Sequence, residues 1–280
     1  MENIAYYNGN YTTLEELQLP VLDRAVYFGD GVYEAMYVRN GIPYGMGDHL
    51  DRFYESLRSV KIAPPAERAE FEAFLLDLTK RLGGEGILYW QTSRGSAYRA
   101  HTFPEGAAPN LLAWFKHKKL ADPRAPFRLM TTEDRRYSFC HVKTLNLILN
   151  VMAAEEAKEN GCDEAVFVRD GLVTEGAHTN IHLLKDGALI THPLDCHILP
   201  GTVRRQLIRL CGSLRIPVME RAFAPEEMET ADEILVTSST SFIRRASVLN
   251  RAPVGGHALP LYDALLSAYL ADVAAVCGEN

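Results

Sequence analysis

Two Asp-Gly dipeptides constrain this chain more than any other feature of it. Asp170-Gly171 lies between apolar runs at 165–169 and 172–175, and Asp186-Gly187 lies between runs at 180–184 and 188–191. A two-residue loop of this composition accepts the positive φ that a type I′ turn needs at both central positions, and such a turn folds one strand back antiparallel on the last. The second part of the chain is therefore expected to consist of short antiparallel strands. A helix from about 146 to 160, rich in Ala, Leu and Glu and closed by Gly161, interrupts them. Another is expected over 203–214.

The first part has a different texture. Asp48 can cap a helix with Leu50, Phe53, Tyr54 and Leu57 on one face. A second helix is expected to open at Pro64-Pro65, to carry Phe71, Phe74, Leu75, Leu78 and Leu82 on one side, and to stop at Gly83-Gly84. Strand-like runs follow at 87–92 and 111–116. The polar, proline-bearing stretch 119–126 reads as a linker. The expectation is an α/β (α+β) chain with a small α/β domain over 1–118 and a larger β-rich domain over 127–280, and a ligand cleft between them. A length of 280 residues accommodates both.

Charge and cysteine usage narrow the function. A net charge of −7 repels nucleic acid and anionic membrane, so an anionic ligand has to be held by particular arginines. The five cysteines are odd in number and form no C-x-x-C pair, which argues against zinc or a disulfide framework and suits a reducing compartment. The N-terminus lacks a basic segment followed by an apolar one. The apolar stretch 265–276 is interrupted by Asp272 and reads as too short and too amphipathic to span a bilayer. A soluble, cytoplasmic protein without metal is expected.

Five features can carry chemistry. Lys143 stands just before a helix, poorly placed against its dipole; alone it also reads as a surface lysine. Glu175 ends a strand and is followed by Gly176, where backbone can approach a ligand. Alone it is an ordinary glutamate beside a turn. An oxyanion could be held by Arg52, by the hydroxyl run Thr237-Ser238-Ser239-Thr240-Ser241, or by the turn Leu199-Pro200-Gly201-Thr202-Val203, which opens a helix. Arg99 and His101, two residues apart, point the same way if extended and would fork a carboxylate. Tyr33 follows Gly29-Asp30-Gly31, whose two glycines do not match a dinucleotide fingerprint.

In order and spacing these motifs resemble the fold-type IV pyridoxal-phosphate (PLP) enzymes. The resemblance rests on Asp23-Arg24, Phe28-Gly29-Asp30-Gly31-Val32-Tyr33-Glu34, His49-Leu50-Asp51-Arg52, Arg94-Gly95 leading to Arg99-Ala100-His101, Lys143-Thr144-Leu145-Asn146, Thr174-Glu175-Gly176 and Leu199-Pro200-Gly201. The family includes D-amino-acid transaminases, branched-chain aminotransferases and aminodeoxychorismate lyases, and Arg99-x-His101 before Phe103-Pro104 most resembles the first. The resemblance implies a pseudo-barrel form for the larger domain. It implies that Lys143 carries PLP covalently and moves the substrate proton, and that Glu175 binds the pyridine nitrogen. Arg52, the amides of Thr202 and Val203, and the hydroxyls of Ser238 and Ser239 would hold the phosphate. Tyr33, with Arg99 and His101 of a partner subunit, would trap the substrate carboxylate, which implies a homodimer acting on amino acids and 2-oxo acids. Arg136 would support Glu175. An ion pair at ~4 Å is worth roughly 4 kcal/mol at an effective dielectric near 20, enough to keep a ring nitrogen protonated. Two departures stand out. Ala177-His178-Thr179 replaces the serines common after the Glu-Gly pair, and Val203 replaces a common threonine.

Overall fold

The computed structural model describes residues 2–278 and divides the chain into two units. The first comprises the described residues up to Leu120, the short segment Val142–Asn146 and those from Val273 onward. The second comprises Ala121–His141 and Leu147–Asp272.

The first unit is built on a six-stranded antiparallel sheet. Its elements in chain order are β1 (Asn3–Tyr7), β2 (Asn10–Thr12), α1 (Arg24–Phe28), β3 (Gly31–Arg39), β4 (Ile42–Pro43), α2 (Met46–Ser59), α3 (Arg68–Leu82), β5 (Gly86–Ser93) and β6 (Asn110–His117). The strand order is β2-β1-β6-β5-β3-β4. Residues of a strand alternate between faces, so Val32, Met36 and Val38 of β3 share one face. They enter a core with Leu50, Phe53 and Leu57 of α2 and Phe71, Leu75 and Leu78 of α3. Burying each such side chain contributes about 1.5–3 kcal/mol. Glu34 lies on that same face and is fully buried. Both helix starts differ from the sequence expectation. Gly45, at φ 75°, is the N-cap of α2, and Asp48 lies inside its first turn, still well placed against the dipole. The helix α3 starts at Arg68, three residues past Pro65, with Glu67 as N-cap, and ends at Gly83 as expected.

The second unit contains two five-stranded sheets. Its elements are β7 (Arg128–Glu133), α4 (Ile148–Glu159), β8 (Glu164–Arg169), β9 (Leu172–Gly176), β10 (Asn180–Lys185), β11 (Ala188–Thr191), α5 (Thr202–Ser213), β12 (Val218–Glu220), α6 (Pro225–Glu229), β13 (Glu233–Ser238), β14 (Phe242–Arg245), β15 (Val248–Leu249) and β16 (Ala252–Pro253). The sheets run β12-β11-β10-β13-β14 and β16-β15-β7-β8-β9. Both Asp-Gly turns form as the sequence demands. Asp170 and Gly171 have φ of 51° and 78°, Asp186 and Gly187 51° and 76°, joining β8 to β9 and β10 to β11. The β8–β9 register slips between Val166 and Val168, so that Thr174 and Glu175 together face Phe167. Such a bulge re-aims side chains, and here it leaves Thr174 and Glu175 both buried.

The last helix, α7 (Leu259–Cys277), is longer than the apolar stretch in the sequence suggested, and by length and composition alone it could cross a membrane. Tyr262, Leu265, Leu266, Tyr269 and Val273 recur at helical spacing and are buried against the protein. Asp272 accepts a hydrogen bond from Gln206 at 2.9 Å. The segment Val142–Asn146 is the main departure from the expected domain division, which put it in the second domain. It pairs with β3: Tyr33 N donates to Lys143 O (3.0 Å), Leu145 N donates to Gly31 O (3.0 Å), and Val32 bridges Thr144.

Candidate active site

Lys143 owes its position to β3 and α2. Beyond the two β3 bonds, its own N–H donates to Ser56 Oγ at 3.3 Å. Gly31 is required for this approach, because a Cβ there would lie 2.7 Å from both Leu145 Cδ1 and Thr92 O. The half-buried Lys143 carries its Nζ 4.3 Å from the centroid of the Tyr33 ring, so the structure brings these two predicted residues together. Tyr33 in turn stacks on Tyr89 at 5.6 Å.

On the other face of β3, Arg52 is gripped by Glu34. Arg52 Nε and Nη2 donate to the two carboxylate oxygens at 2.7 and 2.8 Å, and His49 Nδ1 lies 2.7 Å from Oε2. Burial alone would raise the Glu34 carboxyl, but Arg52 and then His49 hold it down at about 2. His49 is lowered by burial, so its neutral imidazole donates Nδ1–H to the carboxylate. Sequence reasoning singled out Arg52 and missed these partners. The available signal was that His49, Arg52 and Ser56 occupy the apolar face of α2, at the spacing of Phe53 and Leu57.

In the second unit Glu175 is the centre of a fixed network. Arg136 Nη1 donates to Oε1 at 2.6 Å, while Asn180 Nδ2 and Leu199 N donate to Oε2 at 3.0 and 2.8 Å. Arg136 also binds Asp134 through Nε and Nη2, both at 2.9 Å, and Thr174 Oγ1 donates to Asp134 at 3.0 Å. Burial would raise the Asp134 carboxyl, but Arg136 and Arg169 hold it at about 2. Of these partners sequence reasoning named only Arg136. Asp134, Asn180 and the Leu199 amide gave no signal of their own. Asn180 reaches further: its Oδ1 occupies the space a Cβ on Gly201 would need. Gly201 is the N-cap of α5 and offers no side-chain cap to the first amides of that helix, those of Thr202 and Val203. Thr202 Oγ1 and Ser239 Oγ are 3.4 Å apart, and Ser238 Oγ lies 3.4 Å from Thr240 Oγ1.

Arg99 and His101, which would point the same way on extended chain, stand on irregular backbone and are exposed. They are brought together by Phe28: Arg99 lies 5.1 Å from the centroid of that ring and His101 5.4 Å from it. Asp30, just beyond Phe28, binds Arg24 Nε at 2.7 Å and Arg94 Nε at 2.9 Å. Among the described residues no group of three or more His, Cys, Asp or Glu could hold a metal ion.

A model of the family described as Amino-transferase class IV matches residues 31–249. The chain is a class IV aminotransferase. The D-alanine aminotransferase of Bacillus licheniformis is 33% identical over 257 residues, 90% of either chain. That of Staphylococcus aureus (strain MSSA476) is 32% identical over 260 residues, 91% of either. Two solved structures share the fold. The branched-chain amino acid aminotransferase of Escherichia coli superposes with a TM-score of 0.88 at 19% identity, covering 100% of this chain and 96% of its own. A fold IV transaminase from Curtobacterium pusillum gives 0.82 at 23%, covering 93% and 92%. Class IV aminotransferases use PLP, and PLP is the cofactor here. The residues of this aminotransferase fit it. Its pyridine nitrogen needs an ionised carboxylate, and Glu175 is held by three donors. Its phosphate needs N–H and O–H donors, and the glycine-capped start of α5 with Thr202 and Ser239 supplies both kinds.

Proposed function

We propose that this aminotransferase moves the amino group between D-amino acids, such as D-alanine and D-glutamate, and 2-oxo acids, as a cytoplasmic homodimer. The observation that carries the reading is the Arg99–His101 pair set on one aromatic ring, two donors that would take the substrate carboxylate. The D-alanine aminotransferases that are 32–33% identical over about nine-tenths of the chain support it. In the proposed assembly, Arg99 and His101 serve the substrate of the second copy and Tyr33 that of its own.

The bound cofactor supplies an electron sink for the pair of electrons left when the α-proton departs. Lys143 would hold the cofactor between turnovers, and its Nζ, once freed, would be the base that takes the substrate α-proton and the acid that returns it. Glu175, fixed by Arg136, Asn180 and the Leu199 amide, holds a proton on the ring nitrogen. Arg52, the amides of Thr202 and Val203, and the hydroxyls of Ser238 and Ser239 hold the phosphate. Glu34 and His49 orient Arg52 for that task. Arg99 and His101 choose which face of the substrate Cα meets Lys143, which selects the D-enantiomer.

The test is a panel of D- and L-amino acids added to holoenzyme without 2-oxo acid, scored by the absorbance change as bound PLP becomes its pyridoxamine form. D-alanine and D-glutamate are expected to convert it. Conversion by L-leucine but not by D-alanine would replace the reading with a branched-chain aminotransferase. Pyruvate release from aminodeoxychorismate, independent of any 2-oxo acid, would replace it with a lyase.

A further inference from the structure

We propose that Asp30 is a positioning residue of the substrate-carboxylate trap, acting through Arg24 and Arg94 on the loop that carries Arg99 and His101. The proposal rests on the assignment of that pair to the substrate carboxylate.

The stretch from Arg94 to Phe103 belongs to no helix and to no strand beyond the single Asp23–Ser96 bridge, and Arg99 and His101 project from it into solvent. Side chains this long select a substrate only if something fixes the backbone beneath them. Two guanidinium groups do so from either side. Arg24 Nη1 donates to Ala100 O at 2.8 Å, the carbonyl between Arg99 and His101. Arg94 lies 3.6 Å from the centroid of the Phe103 ring, two residues past His101, and anchors itself through Nη2 and Nη1 to Val60 O and Lys61 O at 2.8 and 2.7 Å. Both guanidiniums meet on Asp30 Oδ2. Without that carboxylate two largely buried cations would face each other unneutralised, and one or both would withdraw from the loop.

A second link runs through the aromatic seat. Arg24 lies 4.7 Å from the centroid of Phe28, the ring that Arg99 and His101 also touch. Gly29, at φ 59°, turns the chain between Phe28 and Asp30. Asp30 and Phe28 thus set, from one turn, the backbone and the side chains of the same pair. Burial opposes the charge on Asp30, but Arg94 and Arg24 outweigh it and lower its carboxyl, so the carboxylate persists wherever the enzyme works.

The experiment measures KM and kcat for D-alanine with PLP-loaded protein carrying Asp30→Asn, Arg99→Ala or both. Asp30→Asn is expected to raise KM about tenfold, the equivalent of ~1.4 kcal/mol, with kcat within about threefold. Because Asp30 acts through the pair, its KM effect is expected to shrink in the Arg99→Ala background, where only His101 is left for it to position. An unmoved KM in Asp30→Asn overturns the proposal, and so does a rise of the same factor in the Arg99→Ala background. If Arg99→Ala itself leaves KM unchanged, the trap assignment falls, and the inference with it. Should Asp30→Asn fail to fold, Arg24→Lys keeps a cation beside Asp30 and loses the donor to Ala100 O. It is expected to raise KM about threefold to fivefold by the same route, and an unchanged value overturns the proposal.

Discussion

At Arg136 one guanidinium meets two carboxylates, Asp134 and Glu175, with three of its N–H-bearing nitrogens engaged. The residue therefore fixes the geometry of Glu175 and neutralises a buried acid at once. Arg136→Met should cost about 3 kcal/mol of stability, because Glu175 loses its ion pair with Arg136 and Asp134 is left with Arg169. It should also weaken PLP retention, read as release of the cofactor on gel filtration. A melting temperature within a degree or two of wild type would refute the first part. Replacing Lys143 with Ala should leave the fold intact and remove borohydride-fixable cofactor; a label retained elsewhere in the chain would show that the wrong amine has been assigned. Lys143 and Glu175 could be singled out in the sequence because each sits in a motif, Lys143-Thr144-Leu145-Asn146 and Thr174-Glu175-Gly176, that resembles the family's. Glu34, Asp134 and Asn180 could not, because their roles come from partners far away in the chain and a single polar letter carries no record of its partner.

At the scale of elements, glycines determine how closely segments approach. Gly31→Ala places a methyl against Thr92 O and Leu145, so the Val142–Asn146 segment must shift away from β3. The expected result is a loss of cofactor loading larger than the loss of stability, measured as a drop in PLP occupancy of ten-fold or so against a melting shift of a few degrees. Gly201→Ala would strike Asn180 and disturb Glu175 and the start of α5 together. Equal PLP affinity in wild type and Gly201→Ala would count against the phosphate role of that turn. The hairpins were fully legible, since an Asp-Gly pair between apolar runs leaves the backbone few alternatives. The bulge that turns both Thr174 and Glu175 inward was not: it is a mismatch between two strands, and neither strand shows it alone.

For the whole molecule, buried and half-buried groups whose protonation is disfavoured shape the response to acid, and three join Asp30 and His49 in this. Glu34 and Asp134 have carboxyls at about 2, and His182, buried between Thr191 and Thr237, titrates at about 3 because burial and then Arg204 disfavour its charge. In each case the folded state binds its proton less readily than the unfolded chain. The stability they contribute is present in full above about 6.5, the ordinary histidine value. It falls first with His182 below that pH, then with the carboxylates from about 4.5 towards 2. The two carboxylates account for about 2–3 kcal/mol each. Urea midpoints measured from pH 8 to pH 3 should be flat at first and then decline; a maximum near pH 4 would contradict this. The broad division into a sheet-and-helix first part and a strand-rich second part was readable from texture. The excursion of residues 142–146 was not, because nothing in those five letters says which strand they will join.

That excursion has a consequence in time. Asn146 donates to Gly29 O across 117 residues of chain, and Lys143 to Ser56 across 87. Loop closure on that span is slow relative to forming a local hairpin. On dilution from denaturant the ellipticity of the strands should return before the chromophore does, because Lys143 reaches its place beside β3 only once that long span of chain has closed.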